Sequence, residues 1–364
     1  MKKLAPALAA LCFAALVLTG CTLFGQQTGS ASDPDAVALD PLTGKTARWP
    51  DQRPAAVFLD NGPDASRQWG IGEASVVLEA LTEGQTDTSL CLVYPALEAV
   101  PQAGPVAQAR DLYLQLLACQ QVIPVQRDAS IYAANFLDLY DVLPLDALSL
   151  GVQGFTYQGA WGQPDQVSWT TSGADLLPLA ASAGVSLIPQ ADADSLAADS
   201  DSAGGDTTVH LPPLLPFGEP ANGKEGASSV ELIFSSTSST SFTYDAGTQQ
   251  YLMARADGSP QTDANTGTQA GFDNLLILYS APSLRDDGYF WGYDLTMGAG
   301  VYLSGGSVWS ILWMPGVEST LSIYNSDGTA LNVQPGTSYI ALMGSVAGQE
   351  VILRDSQGSE MTAN

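Results

Sequence analysis

The order of apolar and polar residues changes character once along this chain. Before about residue 188, continuous apolar runs typical of buried strands alternate with stretches in which apolar residues recur at helical spacing. The runs predict strands over about 55–60, 75–81 and 88–94, followed by a short apolar run at 122–125. The spaced stretches predict helices over about 106–119, 131–141 and 173–183. Residues 39–188 are therefore predicted to form a mixed α/β domain.

After about residue 228 the helical spacing stops, and short segments rich in aromatic and β-branched residues follow one another between turns. Strands are predicted over about 230–234, 241–244, 250–255, 275–279, 289–293, 301–303, 308–313, 321–324, 338–343 and 350–354. Asp245–Thr248 and Asn325–Gly328 have the composition of hairpin loops. We expect a mainly antiparallel β domain over 229–355, a barrel or sandwich, followed by a tail at 356–364. The whole chain is predicted to be α+β.

The two halves are separated by residues 189–228, where Asp, Ser, Ala, Gly and Pro dominate. This composition is typical of a connection between domains. An acidic linker and a domain boundary are therefore predicted here.

The first apolar run follows two lysines and ends at Leu18-Thr19-Gly20-Cys21. This order is that of a bacterial secretion signal closed by a lipobox, in which a lipid transferase attaches diacylglycerol to the cysteine. The alternatives are a plain signal peptide or a membrane helix whose cysteine is incidental. The run is shorter than the roughly 20 residues that a spanning helix needs. Residues 1–20 are thus predicted to be a signal peptide, and Cys21 the lipidated first residue of the mature chain.

Residues 22–38 are mainly Gln, Gly, Ser, Asp and Ala without periodicity. This predicts a flexible tether over 21–38, which would hold the folded body roughly 20 to 25 Å from the lipid. We therefore expect a protein anchored through Cys21 to the extracytoplasmic face of the bacterial cell membrane.

The charge balance is strongly acidic. The full chain carries 12 Lys and Arg against 38 Asp and Glu, and loss of the leader leaves 10 against 38, a formal net charge of −28. Nucleic acid is excluded as a partner because it needs a basic face. Anionic lipid headgroups repel such a body, so its attachment to the membrane must come from acyl chains. Cationic partners are favoured on encounter.

Cys91 and Cys119 remain when the leader and the lipidated cysteine are set aside. Both lie in apolar surroundings, the first in a strand-like run and the second at the end of a helical pattern. Two buried thiols are the simpler interpretation, and a disulfide between them is the alternative.

Short motifs recur in a definite order along both halves. In the first half they are Asp40–Gly44, Arg53–Val57 with Asn61, Glu79 through Glu83-Gly84, and Gly104–Asp111. In the second half they are Tyr251–Arg255, Gly258–Pro260, Thr266–Gly267, Gly298–Gly300, Trp309–Trp313, Tyr324 with Asp327–Gly328, and Pro335–Thr337. Together they resemble the YerB-like lipoproteins, a family known as a domain of unknown function. The resemblance covers about residues 40–343 and implies a secreted, lipid-anchored protein of Gram-positive-type bacteria with distinct N- and C-terminal domains, but no activity.

The chain departs from the family pattern at several polar positions. The segment after Glu83-Gly84 has none of the basic residues usual in the family, and Ala107 stands where the family has arginine. Gln261 follows Pro260, and the histidines typical of both halves are absent. Functions that depend on those residues are not implied here.

Glu79, Glu83 and Arg110 are the strongest candidates for a shared polar site, and Asn61 is a further ligand-binding candidate. An arginine that faces one or two carboxylates could hold a ligand carboxylate or amide. The simpler interpretation is a structural salt bridge of Arg110 that fastens a helix to the sheet. Because paired acids can also serve a glycosidase, Glu79, Glu83 and Arg110 are weak catalytic candidates.

The sequence offers few residues for a catalytic triad, a metal site or a cofactor site. The mature chain has one histidine, His210, in a Pro-rich connection that suits neither a catalytic triad nor a zinc site. Asp199 and Asp201 are weak candidates for Ca²⁺, but His210 stands where a bidentate glutamate is needed, and a solvated acidic linker is the simpler interpretation. No cofactor is predicted.

Six aromatic residues of the second half are dense enough for a sugar-binding face, although alternation along strands more often indicates core. They are Tyr289, Phe290, Trp291, Tyr293, Trp309 and Trp313.

The sequence thus favours a lipid-anchored, non-catalytic protein that binds a basic envelope protein or a cell-wall component and could tune a cell-wall enzyme. The alternatives are a hydrolase of wall glycan or peptide and a small-ligand-binding lipoprotein.

Overall fold

The computed structural model describes residues 37–62, 65, 67–84, 86–157, 169–191, 209–221, 223–316, 319–344 and 348–362. The predicted signal peptide, Cys21 and most of the tether lie outside these ranges. Three α-helices occur within them: α1 (Asp111–Leu116), α2 (Ile131–Leu139) and α3 (Gly173–Ala183). Short 3₁₀ turns lie at Ile71–Glu73, Leu97–Ala99 and Ala118–Gln120. None of the described helices has the length and apolar character needed to cross a bilayer.

The described chain is mostly β. In the first half the strands are β1 (Ala55–Asp60), β2 (Val76–Leu81), β3 (Thr88–Tyr94), β4 (Gln108–Ala109), β5 (Ile123–Gln126), β6 (Asp128–Ala129), β7 (Leu145–Asp146), β8 (Thr156–Tyr157) and β9 (Trp169–Thr170). In the second half they are β10 (Lys224–Glu225), β11 (Ser229–Ile233), β12 (Ser239–Asp245), β13 (Gln250–Ala254), β14 (Gly271–Phe272), β15 (Asn274–Tyr279), β16 (Pro282–Leu284), β17 (Trp291–Tyr293), β18 (Gly298–Ser304), β19 (Ser307–Pro315), β20 (Leu321–Asn325), β21 (Ser338–Met343), β22 (Glu350–Arg354) and β23 (Glu360–Met361). The fold is therefore α+β, with β structure dominant and mostly antiparallel.

One large sheet runs through both halves of the chain. Within the described residues it has eleven strands, in the order β10-β19-β18-β15-β21-β2-β3-β1-β5-β7 with β20 also paired to β19. Strand β21 joins the halves because it pairs in parallel with β15 on one side and with β2 on the other. Ile340, for example, lies between Leu276 and Leu78. The second half is thus continuous with the first through a shared sheet.

Both faces of this sheet are covered, which explains the continuous apolar runs of its strands. On β1, Val57 belongs to one core cluster and its neighbour Phe58 to the other, as the alternation of a strand requires. The first cluster includes α3 and a second, six-stranded sheet in the order β14-β13-β12-β11-β22-β23. The second cluster includes α1 and α2. Glu79, in the middle of β2, is consequently buried.

The N-terminal helix of the prediction is shorter than expected. Residues 106–119 are predicted as one helix, whereas α1 begins at Asp111 and ends at Leu116. The preceding residues are extended because they form hydrogen bonds along β1 and β6: Ala107 N donates to Phe58 O at 2.8 Å, and Gln108 pairs with Asp128. The predicted hairpin at Asp245–Thr248 is confirmed between β12 and β13.

Part of the predicted linker packs into the molecule. Leu214 and Leu215 are buried, and Leu214 N donates to Pro41 O at 2.7 Å. Further along, β10 joins the edge of the large sheet beside β19. The apolar pair in this Pro-rich stretch is therefore a core segment.

The two cysteines of the body are not paired with each other. Cys91 is a free, fully buried thiol on β3, as expected, and its burial raises its pKa. Cys119 is only half-buried, whereas a buried position is expected for it. It follows α1 in the short turn at Ala118–Gln120.

Replacing Ile340 by alanine tests whether the two halves are one cooperative unit. The side chain is 1% exposed in the strand that joins the halves, so we expect the free energy of unfolding to fall by about 2–5 kcal/mol. Leu312→Ala, at a side chain 40% exposed on β19, should change it by about 0.5 kcal/mol. Urea unfolding followed by circular dichroism and tryptophan fluorescence should give a single shifted transition. Two transitions, of which one alone shifts, would contradict the shared core.

Candidate functional site

Glu79 occupies the centre of the large sheet and has no exposed surface. It lies on β2, whose neighbours β3 and β21 flank it on both sides. Its Oε1 accepts hydrogen bonds from Asn61 Nδ2 at 2.9 Å and from Thr88 Oγ1 at 2.6 Å. The predicted candidates Asn61 and Glu79 are therefore direct partners.

The second half of the chain supplies the remaining partners of this carboxyl group. Oε2 accepts from Thr240 Oγ1 at 3.0 Å and from the hydroxyl of Tyr339, which lies on β21. All four donors are neutral, and no described Lys or Arg forms a salt bridge with Glu79. Burial raises the pKa of Glu79 above its ordinary value because the charged form loses its hydration, and the hydrogen bonds oppose this more weakly.

A chain of side-chain amides leads from this group toward Arg255. Gln68 Nε2 donates to Asn61 Oδ1 at 2.9 Å, Gln261 Nε2 donates to Gln68 Oε1 at 3.0 Å, and Arg255 Nε donates to Gln261 Oε1 at 2.7 Å. Gln68 and Gln261 are buried, and each has a fixed donor and acceptor direction. The chain orients Asn61 toward Glu79 and connects the two halves a second time.

Arg110 and Glu83 form a separate cluster at the end of β2. Arg110 Nη2 lies 2.6 Å from Glu83 Oε2, its Nη1 donates to Gln108 Oε1, and its Nε donates to Thr82 Oγ1 at 3.4 Å. The arginine side chain is 8% exposed and that of the glutamate 33%. Arg110 therefore forms a structural salt bridge, which is the simpler of the two roles expected for it.

The β16–β17 hairpin covers this salt bridge with aromatic and cationic side chains. Arg110 Cζ lies 5.5 Å from the ring centre of Phe290, which meets Tyr132 edge-on at 5.8 Å. Arg285 lies 4.0 Å over the Tyr132 ring and forms a salt bridge with Asp111. Both guanidinium groups are thus neutralised by carboxylates and shielded by rings, which leaves neither as a free anion-binding group.

The three residues predicted as one site are divided between these two arrangements. Glu79 and Asn61 belong to the buried group of side chains hydrogen-bonded around Glu79, which we call the hub, whereas Glu83 and Arg110 belong to the cluster under the hairpin. The two glutamates share no hydrogen-bonding partner among the described residues. Gln68, Gln261, Thr240 and Tyr339 were not predicted. A lone glutamine or threonine in a strand-rich sequence has no spacing that identifies it.

The remaining candidates have equally definite positions. His210 is exposed and lies 3.3 Å from Asp51. Asp199 and Asp201 lie outside the described residues, and within those residues no three His, Cys, Asp or Glu side chains are grouped as a metal site would require. Of the six aromatic residues, Trp309 and Trp313 are buried, in agreement with a core role, and Tyr289 is 51% exposed.

A cavity of about 440 Å³ opens where β15 and β21 end side by side. Its lining includes Tyr279, Met297 and Met343, with the carboxylates of Asp294 and Glu350. A mixed polar and apolar lining with two acidic residues suits a small cationic or amphipathic molecule better than an anion.

Two family models, one for each half of the chain, identify the family to which this protein belongs. The N-terminal domain of the family described as "Protein of unknown function (DUF3048)" matches residues 42–172, and its C-terminal domain matches residues 230–340. The chain therefore belongs to the DUF3048 family, and the resemblance found in its motifs is confirmed.

Two comparisons extend this assignment. The chain is 25% identical over 340 residues to a Bacillus subtilis (strain 168) protein named "Putative lipoprotein YerB", covering 92% of this chain and 93% of that protein. The crystal structure of YerB protein from Bacillus subtilis matches the fold with a TM-score of 0.70 at 23% identity, covering 86% of this chain and 99% of that one. The fold is thus shared, at a sequence distance typical of a divergent member.

Glu79→Gln should change how stability depends on pH. Since burial raises the pKa of Glu79, its proton-linked stabilisation is complete below about pH 4.5 and is lost as the pH rises toward the folded-state pKa. Glutamine does not titrate, so above about pH 4.5 the variant should gain on the wild type by up to about 1.4 kcal/mol per pH unit. Urea unfolding from pH 4 to about 8 measures this difference. Glu350→Gln, at an exposed glutamate, controls for the chemical change, and parallel profiles of Glu79→Gln and wild type would contradict the assignment.

Replacing Glu83 alone should lower the free energy of unfolding more than replacing both Glu83 and Arg110. Glu83→Leu leaves the buried Arg110 charge without its carboxylate, which we expect to cost about 3 kcal/mol of unfolding free energy. Adding Arg110→Met should recover part of that loss in urea unfolding. The half-exposed pair Glu231–Arg354 is the control, because the same two changes there should cost less than about 1 kcal/mol. Additive losses at Glu83 and Arg110 would overturn this account.

Proposed function

We propose that this chain is a lipid-anchored extracytoplasmic protein of the cell envelope that binds or regulates another envelope component without catalysing a reaction. One observation carries the non-catalytic part: Glu79, one of the two candidate acids, has no exposed surface, and neutral donors occupy both of its oxygens. A general acid or nucleophile must reach its substrate. A residue sealed in this way is suited to holding the fold together.

The predicted lipobox and the related lipoprotein support the proposed location. The lipobox ends at Cys21, and the related Bacillus subtilis protein has the name of a lipoprotein. Diacylglycerol on Cys21 would hold the body at the outer face of the cell membrane. A wall component or a basic envelope protein is then within reach.

Cys21→Ala tests the anchor. We expect wild-type protein in the membrane fraction and labelled by a fatty-acid analogue, and the variant in the medium or soluble fraction without label. Cys91→Ala is a control that should leave fractionation unchanged, because Cys91 is buried. Membrane retention and labelling of Cys21→Ala would refute lipidation at this residue.

Capture from envelope extract at low and high salt tests the binding role. A body with a net charge of −28 should hold basic partners at low salt and release them at high salt, because screening shortens electrostatic attraction. The absence of any salt-sensitive basic partner would count against the electrostatic form of the proposal.

The hydrolase alternative is supported less well. Its two acids lie in separate clusters, and Arg110 is already bound to Glu83. The cavity beside β15 and β21 instead favours small-ligand capture as the second candidate. Native mass spectrometry of protein isolated from the envelope would detect such a ligand as added mass, and Met297→Trp should displace it by filling the cavity.

A further inference from the structure

Exposed apolar side chains are concentrated in one short stretch. Of the twelve large apolar side chains that are exposed in the described residues, five fall within residues 131–152, with 41% to 65% of their surface in contact with solvent. They are Ile131, Leu139, Leu143, Leu148 and Val152. Scattered exposed apolar residues need no explanation, but a concentration of them marks an interaction surface. We refer to these five residues as the α2 face.

The local structure brings the parts of this face together. Helix α2 buries Ala133 and Leu137 against the core and leaves Ile131 and Leu139 outward. The chain then returns toward the start of the helix, where Leu148 N donates to Arg127 O at 3.1 Å. The returning segment includes β7, the edge strand of the large sheet. The face is thus a helix and an adjacent loop at a sheet edge, with the sheet as a rigid support.

Val152 is held in a conformation that its side chain disfavours. Its φ is 59°, in the left-handed region, and its neighbours Gly151 and Gly154 also have positive φ. A β-branched residue is a genuine outlier there, and glycine would form the same turn without strain. The chain instead keeps a strained apolar side chain that is 41% exposed.

The sequence around the face is acidic, and the two nearby cations, Arg127 and Arg285, are each paired with an aspartate. No Lys or Arg occurs between Arg127 and Lys224, whereas twelve Asp and Glu do. Asp138 and Asp141 are exposed next to Leu139, and Arg127 is paired with Asp128. An apolar surface with an acidic border is complementary to a segment that carries both apolar and basic side chains.

We propose that the α2 face docks a basic amphipathic segment of another extracytoplasmic protein. The apolar side chains of the segment pack on the five residues of the face, and its Lys or Arg side chains lie beside Asp138 and Asp141. This inference rests on the proposed binding function and names the surface and the chemistry of the partner. An anionic membrane surface and a second copy of this chain are both disfavoured, because either would bring like charges together.

The test uses the full lipid-anchored chain on phosphatidylcholine vesicles. The probe is a fluorescent amphipathic helical peptide of leucine and lysine, and binding is counted above that of protein-free vesicles. Leu139→Ser combined with Leu148→Ser should weaken binding at least about tenfold, because two apolar contacts are lost. Leu284→Ser combined with Leu312→Ser, at exposed leucines outside the face, should change it less than about twofold.

Val152→Gly separates binding from folding. Because it relieves the positive φ, its thermal midpoint should equal or exceed that of the wild type, while its affinity for the peptide falls. Weaker binding in a variant that is no less stable cannot be attributed to misfolding. Unchanged affinity in both Val152→Gly and the double serine variant would overturn the proposal.

Charge is tested in the same assay. Asp138→Asn with Asp141→Asn should lower affinity and reduce its dependence on salt, whereas Glu350→Gln with Glu360→Gln, at exposed acids of β22 and β23, should do neither. Asparagine tolerates the left-handed φ of Asp141, so the backbone is preserved. Equal losses in both acid pairs would show attraction by net charge alone and overturn the α2 face as the site.

Three further results would also overturn the proposal for the α2 face. The first is equal binding of a peptide with glutamine in place of lysine. The others are binding to anionic vesicles, or self-association of the chain, that is lost in the double serine variant of the face. The outcome is distinct from that of the proposed function. If envelope extract yields a salt-sensitive basic partner whose capture the serine variants do not affect, the proposed function stands and the α2 face is refuted.

Discussion

The buried carboxyl group of Glu79 lies at the centre of the large sheet without a cation beside it among the described residues. Its need for hydrogen-bond donors constrains how the two halves of the chain align. Glu79 can be buried there because Asn61 and Thr88 from the first half and Thr240 and Tyr339 from the second direct donors at it. A buried acceptor that loses its donor costs about 1–3 kcal/mol, so each contact has to be made. The condition is met when β21 lies beside β2 in the observed register. Polar satisfaction therefore specifies an alignment that apolar packing alone would leave less sharply defined.

The same register determines what happens at the end of β2. Because β2, β21 and β15 are parallel, their carboxyl ends share one edge of the sheet. The chain leaving β15 forms the β16–β17 hairpin there, and Trp291 N donates to Thr82 O at 3.0 Å. This contact places Phe290 over Arg110 and encloses the Glu83 salt bridge. The burial of one ion pair is thus a consequence of how the two halves align around Glu79.

The sequence predicts the central strands well because they are buried on both faces. The runs at 55–60 and 88–94 are apolar except for Asp60, Thr88 and Ser89, and β1 and β3 occupy Ala55–Asp60 and Thr88–Tyr94. The insertion of β21 between β15 and β2 was not predicted, because an apolar run is the same whether its neighbours are parallel or antiparallel. The helix at 106–119 was predicted too long, since its first residues form hydrogen bonds to other strands that local spacing does not reveal.

Part of the candidate site could be predicted from the sequence and part could not. A salt bridge of Arg110 was predicted as its simpler role, and Glu83 is its partner. The hub around Glu79 was predicted only through Asn61 and Glu79, because the other partners come from residues 9 to 260 positions away in the chain. Lipidation of Cys21 stays a prediction from its motif.

Gln261 occupies a position of the hydrogen-bonded side chains where the family resemblance would place a histidine. The family resemblance places histidines in such segments, and here an amide accepts from Arg255 and donates to Gln68. A neutral histidine also has one donor and one acceptor, so either residue could connect these two groups. Histidine, however, changes its charge between pH 5 and 8, whereas glutamine keeps the same donor and acceptor at every pH. With glutamine at this position, no titrating side chain lies between Arg255 and Glu79 in this series of hydrogen bonds, so the donor and acceptor directions that orient Asn61 toward Glu79 do not depend on pH.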